Sequence, residues 1–149
     1  MKTINDFNKF MNEKGYEVSE VETDTLRGRN FQTFKLGEFI FDFEDRLLNI
    51  RSYFCQYFGQ DSPEVNMDEF GLMISLMQSW YKIGRVTASD KPLFVMLDWT
   101  SPMINKDDYQ RAQLIFEYLI EIKENWKQTV FDVVHNNASF EDLFMEMEI

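Results

Sequence analysis

The sequence predicts an α+β domain that is predominantly helical: a helical bundle carrying a small N-terminal antiparallel β-meander. Three observations predict it. After residue 42, long stretches repeat their apolar residues at spacings of three and four, the period of a helix buried on one side. Residues 16–42 instead mix β-branched and aromatic residues with polar ones, and Phe39, Phe41 and Phe43 recur with period two, as in a half-buried strand. Of the 149 residues, 44% are hydrophobic and 16% aromatic, fifteen of them Phe, which is enough apolar area for a real core. No linker, repeat or low-complexity tract divides the chain. It therefore reads as a single domain, 1–149, with residues 3–14 helical, 16–42 in short strands and 42–149 mainly helical.

The elements follow in order. Ile4, Phe7, Phe10 and Met11 share one face of a first helix, capped by Thr3 or Asn5 and closed by Gly15. Breaks at Arg27-Gly28-Arg29 and at Gly37 cut the next stretch into strands at about 16–23, 30–36 and 38–42. A competing pattern runs through the same region. Leu36, Ile40, Phe43, Leu47, Ile50 and Phe54 step by four and three in alternation, which fits a helix, although Gly37 inside it would cost about 1 kcal/mol. Strand is favoured up to Asp42.

Asp42 then suits an N-cap, with Glu44 and Asp45 in a first helical turn and Gly59 at the end of that helix. Met67–Ile83 is a further helix, with Phe70, Met73, Ile74, Met77, Trp80 and Tyr81 on its apolar face. Asp90-Lys91-Pro92 resembles a cap opening a short buried helix to about Trp99. The longest helix covers about 105–135, with an i, i+4 pair between Asp107 and Arg111. Ser139-Phe140-Glu141-Asp142 resembles a capping box that opens a short acidic terminal helix.

Charge narrows the function classes. The net charge is −11, and it is uneven: ten acids face eight bases in residues 1–60, sixteen face seven in residues 61–149. Such a field repels nucleic acid and anionic membrane, and favours basic partners or solubility. Cys55 is the only cysteine, so no intrachain disulfide forms. The first residues lack an apolar signal core, and no run reaches the roughly 18 apolar residues of a spanning helix. A cytoplasmic protein is the expectation.

Catalytic patterns are sparse. The six isolated glycines make no phosphate-cradling loop. His135 is the only histidine, and a Cys55–His135 nucleophile pair competes with a simpler pair of roles: a thiol in the core and an imidazole at a helix C-terminus. Asp132 and His135 share a helix face. Asp42, Glu44, Asp45, Asp107 and Asp108 supply oxygens for a hard cation, but none sits in a calcium-loop pattern. Glu121-Ile122-Lys123 echoes a nuclease pattern, yet in a helix its two charges point about 200° apart. Arg27, Arg29, Lys35, Phe31 and Phe34 form a small basic and aromatic group, read as a charged hairpin tip. No metal or cofactor is expected.

The acids are the more informative feature. Glu117, Glu121 and Glu124 step by four and three along one helix face, where like charges at i, i+4 repel. Glu141, Asp142, Glu146 and Glu148 crowd the last eleven residues, interleaved with Phe144, Met145 and Met147. These seven acids are the expected partner-binding residues, presented like a row of phosphates to a protein that grips nucleic acid through Lys and Arg. In general character the chain resembles small acidic accessory proteins. Among these are inhibitors encoded by phages or mobile elements against nucleic-acid-handling defence enzymes, and immunity proteins that neutralise basic toxins. The resemblance is one of composition and transfers no site residue. The expected function is non-enzymatic occlusion of a basic protein surface, with no direct nucleic-acid or membrane binding. The alternatives are toxin immunity and a small metal-dependent enzyme with an all-carboxylate site near Asp42, Asp45 or Asp132.

Overall fold

A computed structural model describes residues 4–24, 31–58, 62–81 and 83–146, with Asp24 and Glu146 described in backbone only. Its elements run α1 (Ile4–Glu13), β1 (Glu22–Asp24), β2 (Phe31–Leu36), β3 (Phe39–Glu44), β4 (Leu47–Gln56), α2 (Met67–Trp80), β5 (Arg85–Asp90), β6 (Leu93–Pro102), α3 (Lys106–His135) and α4 (Phe140–Glu146). The six strands form one antiparallel sheet in the order β1-β2-β3-β4-β6-β5. The expectation of a predominantly helical bundle with a small meander is therefore overturned: the fold is α+β with a full sheet. The chain divides into two compact units, Met1–Ser52 with Asp98–Tyr118 and Tyr53–Leu97 with Leu119–Ile149.

Turn chemistry explains the first unit. Gly37, at φ 58°, takes the first central position of the two-residue turn between β2 and β3, where a positive φ suits glycine. Asp45 and Arg46, at φ 50° and 66°, make the next two-residue turn, so that Glu44 pairs with Leu47. That turn is what breaks the expected helix from Asp42. The helical stripe had used Leu47, which is 45% exposed, and had skipped Leu48, which is fully buried. Leu48, Ile50 and Ser52 alternate inward as a strand requires. The Arg27-Gly28-Arg29 break lies outside the described residues.

Phenylalanine rings fill this unit. Phe41 stacks on Phe34 at 4.7 Å and 10°, meets Phe7 of α1 at 6.0 Å, and meets Phe116 of α3 at 5.2 Å. Phe39 meets the edge of Phe116 at 5.2 Å, and Tyr109 abuts Phe7 at 5.7 Å. The start of α3 is held by a capping box. Asn105 Oδ1 accepts from Asp107 N, while Asp108 Oδ2 accepts from Ile104 N and Asn105 N. Arg111 pairs with Asp108 at 3.1 Å, three residues away, rather than with Asp107.

In the second unit, Asp90-Lys91-Pro92 is the turn joining β5 to β6, not a helix cap. The expected helix 92–99 is thus a strand. The apolar run Leu93–Leu97 is compatible with either state by periodicity alone. Residues 85–90, which carry no strong periodic signal, form β5. Asn66 caps α2, accepting from Asp68 N and Glu69 N. α2 stops at Trp80, three residues short of the expected Ile83. Trp126 of α3 anchors the core: it stacks on Phe140 at 6.1 Å and 22°, meets Trp80 edge-on at 6.1 Å, and donates its indole N–H to Tyr81 Oη at 2.8 Å. Ser139 Oγ accepts from Asp142 N at the start of α4, and Glu69 Oε2 accepts from Phe140 N at 2.7 Å.

These placements make a paired expectation. Phe41→Ala should lower unfolding stability by about 3–5 kcal/mol in guanidinium titrations. Leu47→Ala should cost under about 1 kcal/mol, because its side chain already meets solvent. Equal costs would contradict the strand register.

Candidate functional site

The acids singled out by the sequence occupy distinct places. In the first unit, Glu117 is exposed and accepts hydrogen bonds from the Tyr16 hydroxyl at 2.7 Å and from Gln113 Nε2 at 3.4 Å. Burial and the Glu117 carboxylate push the Tyr16 hydroxyl above its ordinary range. In the second unit, Glu121 and Glu124 are exposed on α3, and Glu141 and Asp142 are exposed in the first turn of α4. Among the described residues, none of these four carboxylates takes part in an ion pair. They form two groups rather than one. Trp126 faces α4 through its stack on Phe140, and Glu121 and Glu124 lie about 140–160° around the helix from Trp126. The side chain of Glu146, and all of Glu148 and Met147, lie outside the description. Phe144 packs on Trp80 and Phe140, while Met145 is 80% exposed.

Lys123 does not share the outward face of Glu121. It is 5% exposed, and its ammonium donates to Tyr53 O at 3.1 Å. Of the basic and aromatic group near the N-terminus, Phe34 is core, Phe31 is half-buried and Lys35 is exposed; Arg27 and Arg29 lie outside the described residues.

The Cys55–His135 idea meets a different geometry. Cys55 lies on β4, not in a helix, and burial pushes its thiol up to about 11. The partner of His135 is Tyr57, whose hydroxyl sits 2.5 Å from Nε2. Phe131 covers the imidazole at 4.6 Å between ring centroids. A thiol held protonated at neutral pH is a poor nucleophile, and the hydroxyl occupies the imidazole nitrogen that a catalytic base would offer.

Oxygen donors for a metal are also engaged elsewhere. Asp132 accepts from Gln128 and Asn136, and the Asp108 carboxylate accepts from the backbone at the start of α3 and pairs with Arg111, whereas Asp107 enters that cap only through its backbone N–H. Among the described residues, no group of three or more His, Cys, Asp or Glu side chains is arranged to hold a metal ion. Among those residues, no helix is long and apolar enough to cross a membrane.

The sequence missed one arrangement. Asp42, read as an N-cap, lies in the middle of β3 at 5% exposure. Its carboxylate forms an ion pair with Arg51 of β4, a diagonal neighbour across the strand pair. Asn49, opposite Asp42, donates to Asp98 Oδ2 at 3.1 Å and to Thr100 Oγ1 at 2.8 Å. Asp98 is 3% exposed. Asp42, Glu44, Asp45, Asn49, Arg51 and Thr100, with Phe31 and Leu47, wall a cleft of about 410 Å³ in the first unit. The second unit has a cleft of about 870 Å³ with a more apolar wall, including Phe58, Pro63, Val65, Met67 and Pro92.

Two measurements check these environments. Two backbone N–H donors hold the Asp108 carboxyl below its ordinary value. Its contribution to stability is therefore complete above that ordinary value, near pH 4, and is lost as pH falls through the depressed one. Asp108→Asn should flatten the acid limb of the stability profile and cost about 1 kcal/mol at neutral pH. Native Cys55 should react with iodoacetamide at pH 8 far more slowly than the denatured chain, since its thiolate becomes abundant only near pH 11.

No protein-family model matches the chain, and no curated protein matches its sequence.

Proposed function

We propose that the chain is a non-enzymatic binding protein that occludes the basic surface of a nucleic-acid-binding enzyme in the cytoplasm. It offers carboxylates where that enzyme normally meets phosphates, as an anti-defence inhibitor from a phage or mobile element would. The observation that carries the proposal is the α3 pair Glu121 and Glu124. Both are exposed and neither is in an ion pair among the described residues, in a chain of net charge −11. A free carboxylate row raises the association rate with a cationic surface and makes it salt-sensitive. Glu141 and Asp142 on α4 extend the same chemistry on a second surface, while Glu117 contributes with one oxygen already accepting from Tyr16. Glu146 and Glu148 complete the acidic set by sequence.

Affinity capture from a cytosolic lysate at about 50 and 200 mM salt, followed by a nucleic-acid-binding assay on the captured enzyme, tests this. The expected result is an enzyme whose nucleic-acid binding is blocked by this protein, with capture falling steeply at the higher salt. Glu121→Lys combined with Glu124→Lys should weaken the complex by about tenfold or more. Capture indifferent to ionic strength, or an enzyme still able to hold nucleic acid in the complex, refutes the proposal.

A further inference from the structure

The sheet ends in the second unit on an open edge. β5 is the last strand in the order, so no described strand lies beyond it. At the opposite end, β1 is three residues long and carries two acids, Glu22-Thr23-Asp24, which discourages further pairing. β5 is six residues long, and its interior, Val86-Thr87-Ala88-Ser89, holds no charge and no proline. Its neighbours decide which backbone groups face outward. Leu93 O of β6 accepts from Tyr57 N at the end of β4, so Leu93 and Val95 turn toward β4, and Phe94 and Met96 toward β5. The two-residue turn sets Asp90 opposite Leu93. Ser89 and Thr87 therefore face β6, while Val86, Ala88 and Asp90 direct N–H and C=O away from it. Gln78 of α2 agrees: its Nε2 donates to Val86 O at 2.8 Å, where the N–H of a further strand would donate. Beside this edge lies a cleft of about 410 Å³ lined by Gln78, Gly84, Arg85, Val86, Thr87 and Ala88.

We infer that this edge receives an extended segment of the basic partner protein, added antiparallel to β5 as a further strand. The inference rests on the reading of a basic partner given above, and it names the backbone through which that partner is held. Main-chain bonds at Val86 and Ala88 set the register, and every second side chain of the segment enters the cleft beside α2. An N–H of the segment takes the place of the Gln78 amide at Val86 O. Charge selects the occupant. The second unit holds twelve acids against five bases, so a cationic segment is attracted, whereas a second copy of this chain meets its own excess of acids. The exposed Glu121 and Glu124 attract at a distance, and β5 supplies the bonded contact.

The test uses the intact chain and a blocked heptapeptide of alternating threonine and valine with a lysine at each end, followed by amide chemical shifts and hydrogen exchange. Two counterparts accompany it, one with glutamate at each end and one N-methylated at every interior residue. The lysine peptide should give saturable shifts at Val86, Ala88 and Asp90 and slow exchange of the Ala88 amide by at least about tenfold. The glutamate peptide should bind at least about threefold more weakly, and the methylated one should give no shifts. Ala88→Pro removes an outward N–H, leaves the ladder to β6 intact and should abolish binding of the lysine peptide. Should Ala88→Pro not fold, Gln78→Ala remains, expected to tighten the lysine peptide by about threefold because Val86 O is freed. No shifts along β5, equal response to either counterpart, or wild-type affinity in the folded variants overturns the assignment. Exchange at Ala88 that slows as the chain itself is concentrated overturns the choice of occupant in favour of a second copy. If the peptide fails while capture of the enzyme stays sensitive to Glu121→Lys and Glu124→Lys, only the edge assignment falls. If the peptide binds but no enzyme is captured, the proposed function falls and strand addition at β5 stands.

Discussion

The first unit is organised by a single ring. Phe41 of β3 touches rings from α1, β2 and α3, and each of those elements presents its own phenylalanine toward it. Phe41 can reach all three because the strand alternates, which sends Phe39, Phe41 and Phe43 to one face and leaves Ile40 and Asp42 on the other. The same alternation thus builds the core and aims Asp42 away from it. A polar residue on the second face survives burial only with partners, and Arg51 and the Asn49–Asp98–Thr100 network are there.

The helix start at Ser139 was legible from the sequence because capping is local, but the same rule misread Asp42 and Asp90, which lie in strands, and did not single out Asn66 or Asn105. Asn66 accepts from two N–H groups, and Asn105 and Ser139 from one each, two or three residues further on, and nothing distant is needed. The strands β4 and β6 were not legible for an equally physical reason. Adjacent Leu47 and Leu48 offer both a helical and a strand stripe, and only the left-handed backbone at Asp45 and Arg46 decides between them. A positive φ at arginine has no composition signal, since it arises from the pairing on either side of the turn. In β6, Leu93–Leu97 is apolar in every direction, so no period remains to be read.

The same division applies to function. The exposure of Glu121, Glu124, Glu141 and Asp142 follows from helical spacing and was visible in one dimension. The cleft around Asp42 was not, because its walls come from β2, β3, β4 and β6, and strand register is what brings them together. Two acids close in sequence, Asp42 and Asp45, therefore have opposite fates. Asp42 is packed within a strand and Asp45 is exposed at a turn.

The indoles have an optical consequence. Trp126 is 1% exposed, donates to Tyr81 and lies beside Trp80, both in the second unit, whereas Trp99 belongs to the first. An indole shielded from water emits at shorter wavelength than a hydrated one. Two of the three indoles of this chain thus lie in the second unit, and the red shift of its emission on denaturation reports above all the exposure of Trp126.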